Sequence, residues 1–148
     1  MHFHRAADDG ARVRAFYDDL TGAMADAPYP PGWRKGVYPT QAFLDASIAH
    51  GELFLAELDG VLAGCVVLNH ALGVHPAFAR RGIAQRMVQC AIGTARAQDC
   101  RALRLDVLGG NVPAERLYTG QGFARRGTVR MFYADTGWTD YGLYEYLL

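Results

Sequence analysis

The chain has 148 residues, 51% of them hydrophobic, with 15 basic side chains balanced by 15 acidic ones. That length suits a single domain over residues 1–148, able to bury a core without disulfide or metal staples. The neutral balance speaks against nucleic acid as a partner, no apolar run approaches the roughly 20 residues of a membrane span, and MHFHRAADDG lacks a secretory leader, so a cytoplasmic protein with no membrane partner is expected.

In chain order, His2 to Ala6 reads as a strand. His2 and His4 alternate along it, but no further His/Cys cluster supports them, so no metal site is expected. Cys65, Cys90 and Cys100 are odd in number and lack CxxC spacing, which favours reduced thiols over a disulfide framework. Asp8 or Asp9 can cap a helix reaching about Met24, with Val13, Phe16, Tyr17 and Leu20 on its buried stripe. Between Ala25 and Pro39 lie four of the chain's six prolines, so this stretch cannot be regular structure. Its Tyr29, Trp33 and Tyr38 make it either a loop packed on the core or a wall of a ligand pocket.

Thr40 caps a second helix, Gln41 to about His50, with Phe43, Leu44, Ser47 and Ile48 as one stripe, and Gly51 ends it. Glu52 to Leu58 and Val61 to Asn69 read as strands paired antiparallel around Asp59-Gly60. If Ala71 to Val74 is the next strand, only His70 remains for a reversal that needs about two residues or more. Either the hairpin is truly truncated, or residues belong between Leu68 and Ala71 that this chain lacks; the second is our expectation.

Leu72 to Val74 bends at His75-Pro76, passes Arg80 and Arg81, and enters a helix over Gly82 to Gln98 whose buried stripe is Ile83, Met87, Val88, Ala91, Ile92 and Ala95. A strand feeding a helix through a basic, glycine-containing turn is an anion site, because the first helical N–H groups have no intrahelical acceptor. No GxxxxGK followed by Ser or Thr appears, against a P-loop, and no GxGxxG opens the helix, against a dinucleotide fingerprint. Ala102 to Leu108 alternates as a strand parallel to the fourth, since a helix crossover separates them. Asn111 to Phe123, NVPAERLYTGQGF, then reads as a short helix with Pro113 in its first turn, Ala114, Leu117 and Tyr118 on one face, and Gly120 and Gly122 at its end. Val129 to Tyr133 and Tyr141 to Leu147 pair as a hairpin across ADTGWTD, where Trp138 is either a lid or a plug over the sheet edge.

Two of these stretches carry a resemblance. LGVHP followed by RRGIA resembles the signature of the GNAT superfamily of acetyl-CoA-dependent N-acetyltransferases, in which a strand with a V-x-P step leads to Gln or Arg, two residues, Gly, one residue, then Gly or Ala. Ala79 stands where the leading Gln or Arg would be. The Asn111, Ala114 and Tyr118 pattern followed by Gly122-Phe123 resembles the second half of the same site. The resemblance implies an α/β fold with a mixed, mostly antiparallel sheet of about seven strands, helices on both faces, and a central parallel pair that splays.

The resemblance also implies a division of work. Pantetheine would lie in the splay along Leu72, Gly73 and Val74, with Gly73 permitting a bulge. The pyrophosphate would sit on Arg80, Arg81, Gly82, Ile83, Ala84 and Gln85, while Asn111 and Ala114 border the arm. Tyr118 would be catalytic, assisting the departing sulfur, and the Val74 N–H would hold the thioester oxygen. A base must deprotonate the acceptor amine, and His70, Glu57, Asp106 and Glu145 all remain candidates. The implied activity is acetyl transfer from acetyl-CoA to a primary amine, by direct attack in a ternary complex and without metal. A small-molecule acceptor is expected, a peptide or protein amine is the rival, and a non-catalytic CoA-binding module is the reading from another class. The resemblance leaves room for a homodimer.

Overall fold

The computed structural model describes residues 1–27, 33–68 and 71–148 of the chain. Its first half is built on a hairpin turning at Asp59-Gly60, whose φ angles of 52° and 79° are the left-handed pair that matches strand twist. β2 (Leu53–Leu58) and β3 (Val61–Val67) run antiparallel from this turn, with one irregularity at Ala56/Glu57. β1 (His2–Arg5) pairs with β2 and β4 (Ala71–Val74) with β3, both antiparallel, giving the order β1-β2-β3-β4.

Both faces of β2 and β3 are buried, which is why they read as near-continuous apolar runs. Leu53, Leu55, Cys65 and Val67 pack against Val13, Phe16, Leu20 and Leu44 of α1 (Gly10–Met24) and α2 (Gln41–Ala49). Phe54, Ala56, Ala63 and Val66 pack against Ile83 and Met87 of α3 (Ile83–Ala97). Asp9 precedes α1 without a side-chain cap, whereas Thr40 opens α2 by accepting from the Phe43 N–H at 3.2 Å. All three cysteines are free.

The second half is a separate sheet, β5 (Ala102–Leu108), β6 (Ala124–Tyr133) and β7 (Gly137–Leu147), ordered β5-β7-β6 and wholly antiparallel. α4 (Val112–Gly120) precedes β6. Leu103, Leu105, Val107 and Tyr144 pack with Val88 and Ile92 of α3 and Leu117 of α4. One helix, α3, therefore packs on both sheets.

Four expectations change. The parallel pair of β4 and β5 is not a ladder: among the described residues the two strands end different sheets, because four residues of β4 offer little length for pairing with seven of β5. Gly73 makes no bulge, since the register runs unbroken from Gly64↔Val74 to Val67↔Ala71. Its use is space, as a Cβ there would stand 2.6 Å from Leu20 Cδ2 and 3.0 Å from Trp33 Cζ3. β3 ends at Val67, short of the expected Asn69, and its pairing with β4 places Val67 opposite Ala71. The junction itself, Asn69 and His70, lies outside the described residues, as does Tyr29. The last hairpin is longer than expected: its loop is only Ala134 to Thr136, and Gly137 at φ 67° opens β7. Trp138 consequently lies in β7 opposite Phe132, with ring centroids 5.8 Å apart, and not in a loop.

Candidate active site

β4 and β5 each end a sheet, and strand alternation decides what their open edges offer. The His75 N–H donates to the Ala63 carbonyl at 3.0 Å, which makes Cys65/Gly73 the next hydrogen-bonded pair and turns the N–H groups of Leu72 and Val74 away from β3. On β5, the Gly109 N–H donates to Asp140 O at 2.8 Å and the Leu148 N–H to Arg101 O at 3.1 Å. The same alternation turns the backbone of Arg104 and Asp106 away from β7. No ladder takes up these groups among the described residues.

A cavity of about 390 Å³ opens at these edges. Leu72, Ala114, Tyr118 and Phe123 line it, together with Trp33, Tyr38, Tyr133, Asp135 and Tyr141. Leu103 to Leu108 of β5 lines it as well. Among the described residues of the proline-rich segment, Trp33 packs 5.9 Å from Tyr17 in the core and also lines the cavity.

The start of α3 is exposed and uncapped. Arg80 and Gly82 take positive φ, 59° and 73°, and no side chain caps the helix nor does an acidic residue occupy its first turn. The first helical bond is Arg86 N–H to Gly82 O at 3.1 Å, leaving the N–H groups of Gly82, Ile83, Ala84 and Gln85 without acceptors among the described residues. A Cβ at Gly82 would meet nothing within 4 Å. Arg80 and Arg81 are exposed, the latter over the Phe78 ring at 5.6 Å. Ile83 is buried in the core, so only its N–H can serve a ligand. None of these residues lines the cavity, which they adjoin through β4 and α3.

α4 brings Asn111, Ala114 and Tyr118 together on the cavity. The Asn111 carboxamide oxygen accepts from the Ala114 N–H at 3.3 Å, and its NH₂ is left to donate to a ligand. Tyr118 packs edge-on to Phe123 at 5.6 Å, and its hydroxyl has no hydrogen-bond partner among the described residues. Burial, followed by the nearby Asp106 charge, pushes the phenol up to about 12.

The candidate bases separate clearly. Glu57 is ion-paired with Arg12 and 3.7 Å from His4, and Arg12 holds its carboxyl below the ordinary range. Glu145 lies between Arg104 at 2.9 Å and Arg126 at 3.1 Å, and its carboxyl is lowered chiefly by the Arg104 hydrogen bond. Neither lines the cavity. Asp106 does, and desolvation holds its carboxyl above the ordinary range. His70 lies outside the described residues.

Two groupings escaped the sequence reading. Register places His2 opposite Glu57, so with His4 three ligand atoms fall within 4.8 Å of one another, although Arg12 already engages Glu57. Asp135 is the other: buried at 8% exposure, it faces the cavity from a hairpin loop, where a lone aspartate reads only as a turn residue.

The Acetyltransferase (GNAT) family model matches residues 15–123. The chain belongs to this family. Solved structures with the same fold include the ribosomal-protein-alanine N-acetyltransferase of Brucella melitensis, 18% identical with 100% of both chains covered and a TM-score of 0.76. A GCN5-related N-acetyltransferase of Rhodopseudomonas palustris is 16% identical over 99% of this chain and 95% of its own, with a TM-score of 0.79. A GNAT acetyltransferase of Elizabethkingia anophelis with acetyl-CoA bound is 20% identical over 84% of this chain and 94% of its own, with a TM-score of 0.62. No curated protein matches the chain in sequence. As a GNAT member the chain is an N-acetyltransferase, and no helix among its described residues is long and apolar enough to cross a membrane.

Proposed function

We propose that this GNAT enzyme moves an acetyl group from acetyl-CoA to the primary amine of a small molecule, by direct attack with both substrates bound. The observation that carries the reading is the meeting of two unpaired strand edges at one cavity that also holds Tyr118 and Asp106. In the reaction an N–C bond forms, the thioester C–S bond breaks, the amine gives up a proton and CoA leaves as the thiol.

The free N–H groups from Gly82 to Gln85 and the arginines at 80 and 81 suit a pyrophosphate. The open edge of β4 at Leu72 and Val74, with the Asn111 NH₂, offers the polar groups that the amides of a pantetheine arm require, and Ala114 leaves room beside it. The Val74 N–H is free to stabilise the oxyanion that develops on the attacked carbonyl.

Asp106 is the base that this arrangement favours. An alkylammonium must lose a proton before attack, and a carboxyl raised by desolvation is better matched to that task than the arginine-bound Glu57 or Glu145. Tyr118 assists departure of the sulfur as a hydrogen-bond donor. At about 12 its phenol is a far weaker acid than a thiol of roughly 8.5, so complete proton transfer to the thiolate would run uphill.

A panel of amines, followed by thiol release from acetyl-CoA, tests the proposal. Release that depends on a small amine is expected. Release only with peptide N-termini would assign the rival acceptor class, and acetyl-CoA binding without release from any amine would return the non-catalytic reading.

A further inference from the structure

Asp135 sits in the three-residue loop between β6 and β7, and the residue is buried at 8% exposure. No hydrogen bond or ion pair joins it to any described residue. A carboxylate that lines a cavity with no counterion among the described residues is placed where a cation can meet it. Asp135 lines the cavity, as does Asp106, and neither has a cationic side chain bound to it; Arg104, next to Asp106 in β5, is taken by Glu145.

The surroundings suit a positive charge. Tyr38, Tyr133 and Tyr141 line the cavity too, Tyr133 and Tyr141 meeting edge-on at 5.1 Å. Burial raises all three phenols, Tyr38 to about 12, and the charges of both Asp135 and Asp106 contribute to each shift, so rings and carboxylates share one space. Aromatic rings beside a carboxylate attract alkylammonium groups by cation–π interaction as well as by charge. Two like charges in one pocket, whose lining arginine, Arg104, is engaged by Glu145, match a ligand bearing two positive charges.

We infer that the acceptor is a linear aliphatic diamine, whose distal ammonium is held by Asp135 among Tyr38, Tyr133 and Tyr141 while its other amine stands at Asp106 for acetylation. This rests on the proposed acetyl transfer and narrows its acceptor class. It also states an exclusion: an amine of the same length ending in a carboxylate meets like charge at Asp135.

The test compares an α,ω-diaminoalkane, the ω-amino alcohol and the ω-amino acid of equal carbon number on the unaltered enzyme, by thiol release at saturating acetyl-CoA. We expect kcat/KM for the diamine to exceed that of the amino alcohol by about tenfold or more, chiefly through KM, and the amino acid to be the poorest. Asp135→Asn brings the diamine to amino-alcohol ratio down to about one, whereas Asp135→Glu retains part of the preference. Equal use of diamine and amino alcohol by the unaltered enzyme overturns the inference and leaves acetyl transfer standing, and it does so without needing either variant to fold. Failure of acetyl-CoA to bind in calorimetry overturns both.

Discussion

α3 and α4 flank the same cavity, yet their N-termini are finished differently. α3 begins at a left-handed Gly82 with no side-chain cap and four N–H groups left without acceptors among the described residues. α4 begins at Asn111, whose side chain caps the Ala114 N–H, and Pro113 removes another donor from the first turn. An end satisfied by its own residues gains stability without a ligand, and an end left open gains it only when an anion arrives. On the proposed function, the difference separates the duties of the two helices: α3 would bind, while α4, with β5 beside it, would carry the groups that react.

The contrast breaks most sharply at Asp106. Asp106→Asn should lower kcat by about a hundredfold, within the usual range for a general base, with acetyl-CoA affinity little changed. The unaltered enzyme should gain activity as pH rises past the raised Asp106 value, because the deprotonated form accepts the proton, and the variant should lose that limb. No falling limb from Tyr118 belongs in a profile below about pH 11, since its phenol stays protonated up to about 12. A variant keeping the same acid limb in kcat would remove Asp106 from the mechanism.

Tyr118→Phe comes next, with kcat reduced by about thirtyfold and acetyl-CoA binding nearly unaltered, as fits a hydroxyl acting on the leaving group. Single-turnover rates matching the unaltered enzyme would return the tyrosine to packing on Phe123. On α3 the loss should appear in binding. Gly82→Asp puts a side chain at φ 73° and a negative charge on the uncapped terminus, and calorimetry should show affinity for acetyl-CoA weakened by more than about tenfold, or about 1.4 kcal/mol. Gly82→Asn, neutral and tolerant of left-handed backbone, should lose less. The smallest effect is expected for Asn111→Ala: loss of the cap costs about 1 kcal/mol of stability, read as a lower melting temperature, with a smaller change in affinity.

Much of this arrangement was legible in local chemistry. Asp59-Gly60 set one hairpin, Thr40 set the start of α2, and the alternation of Ala102 to Leu108 gave β5 with its observed bounds. What escaped depends on distance through space. Nothing in the run of residues shows that β4 and β5 end separate sheets, or that Gly73 is small because Leu20 and Trp33 crowd it from other segments. Asp106 could be named only as one acid among several, because the arginines that occupy Glu57 and Glu145 come from α1, β5 and β6. Asp135 carried no signal beyond its turn, for the cavity it shares with Tyr38 and Asp106 is assembled from segments remote in sequence.

Among the described residues no ladder joins the two sheets, and this has a mechanical meaning as well. A seam held by side chains on α3 can widen without breaking a backbone hydrogen bond, so the sheets are free to breathe as separate cooperative units. A pantetheine arm laid along that seam would act as a strand supplied from outside, and binding would stitch two halves into one. Substrate would then be a structural member for as long as it stays, and slowed amide exchange at Leu72, Val74, Arg104 and Asp106 would be the trace it leaves.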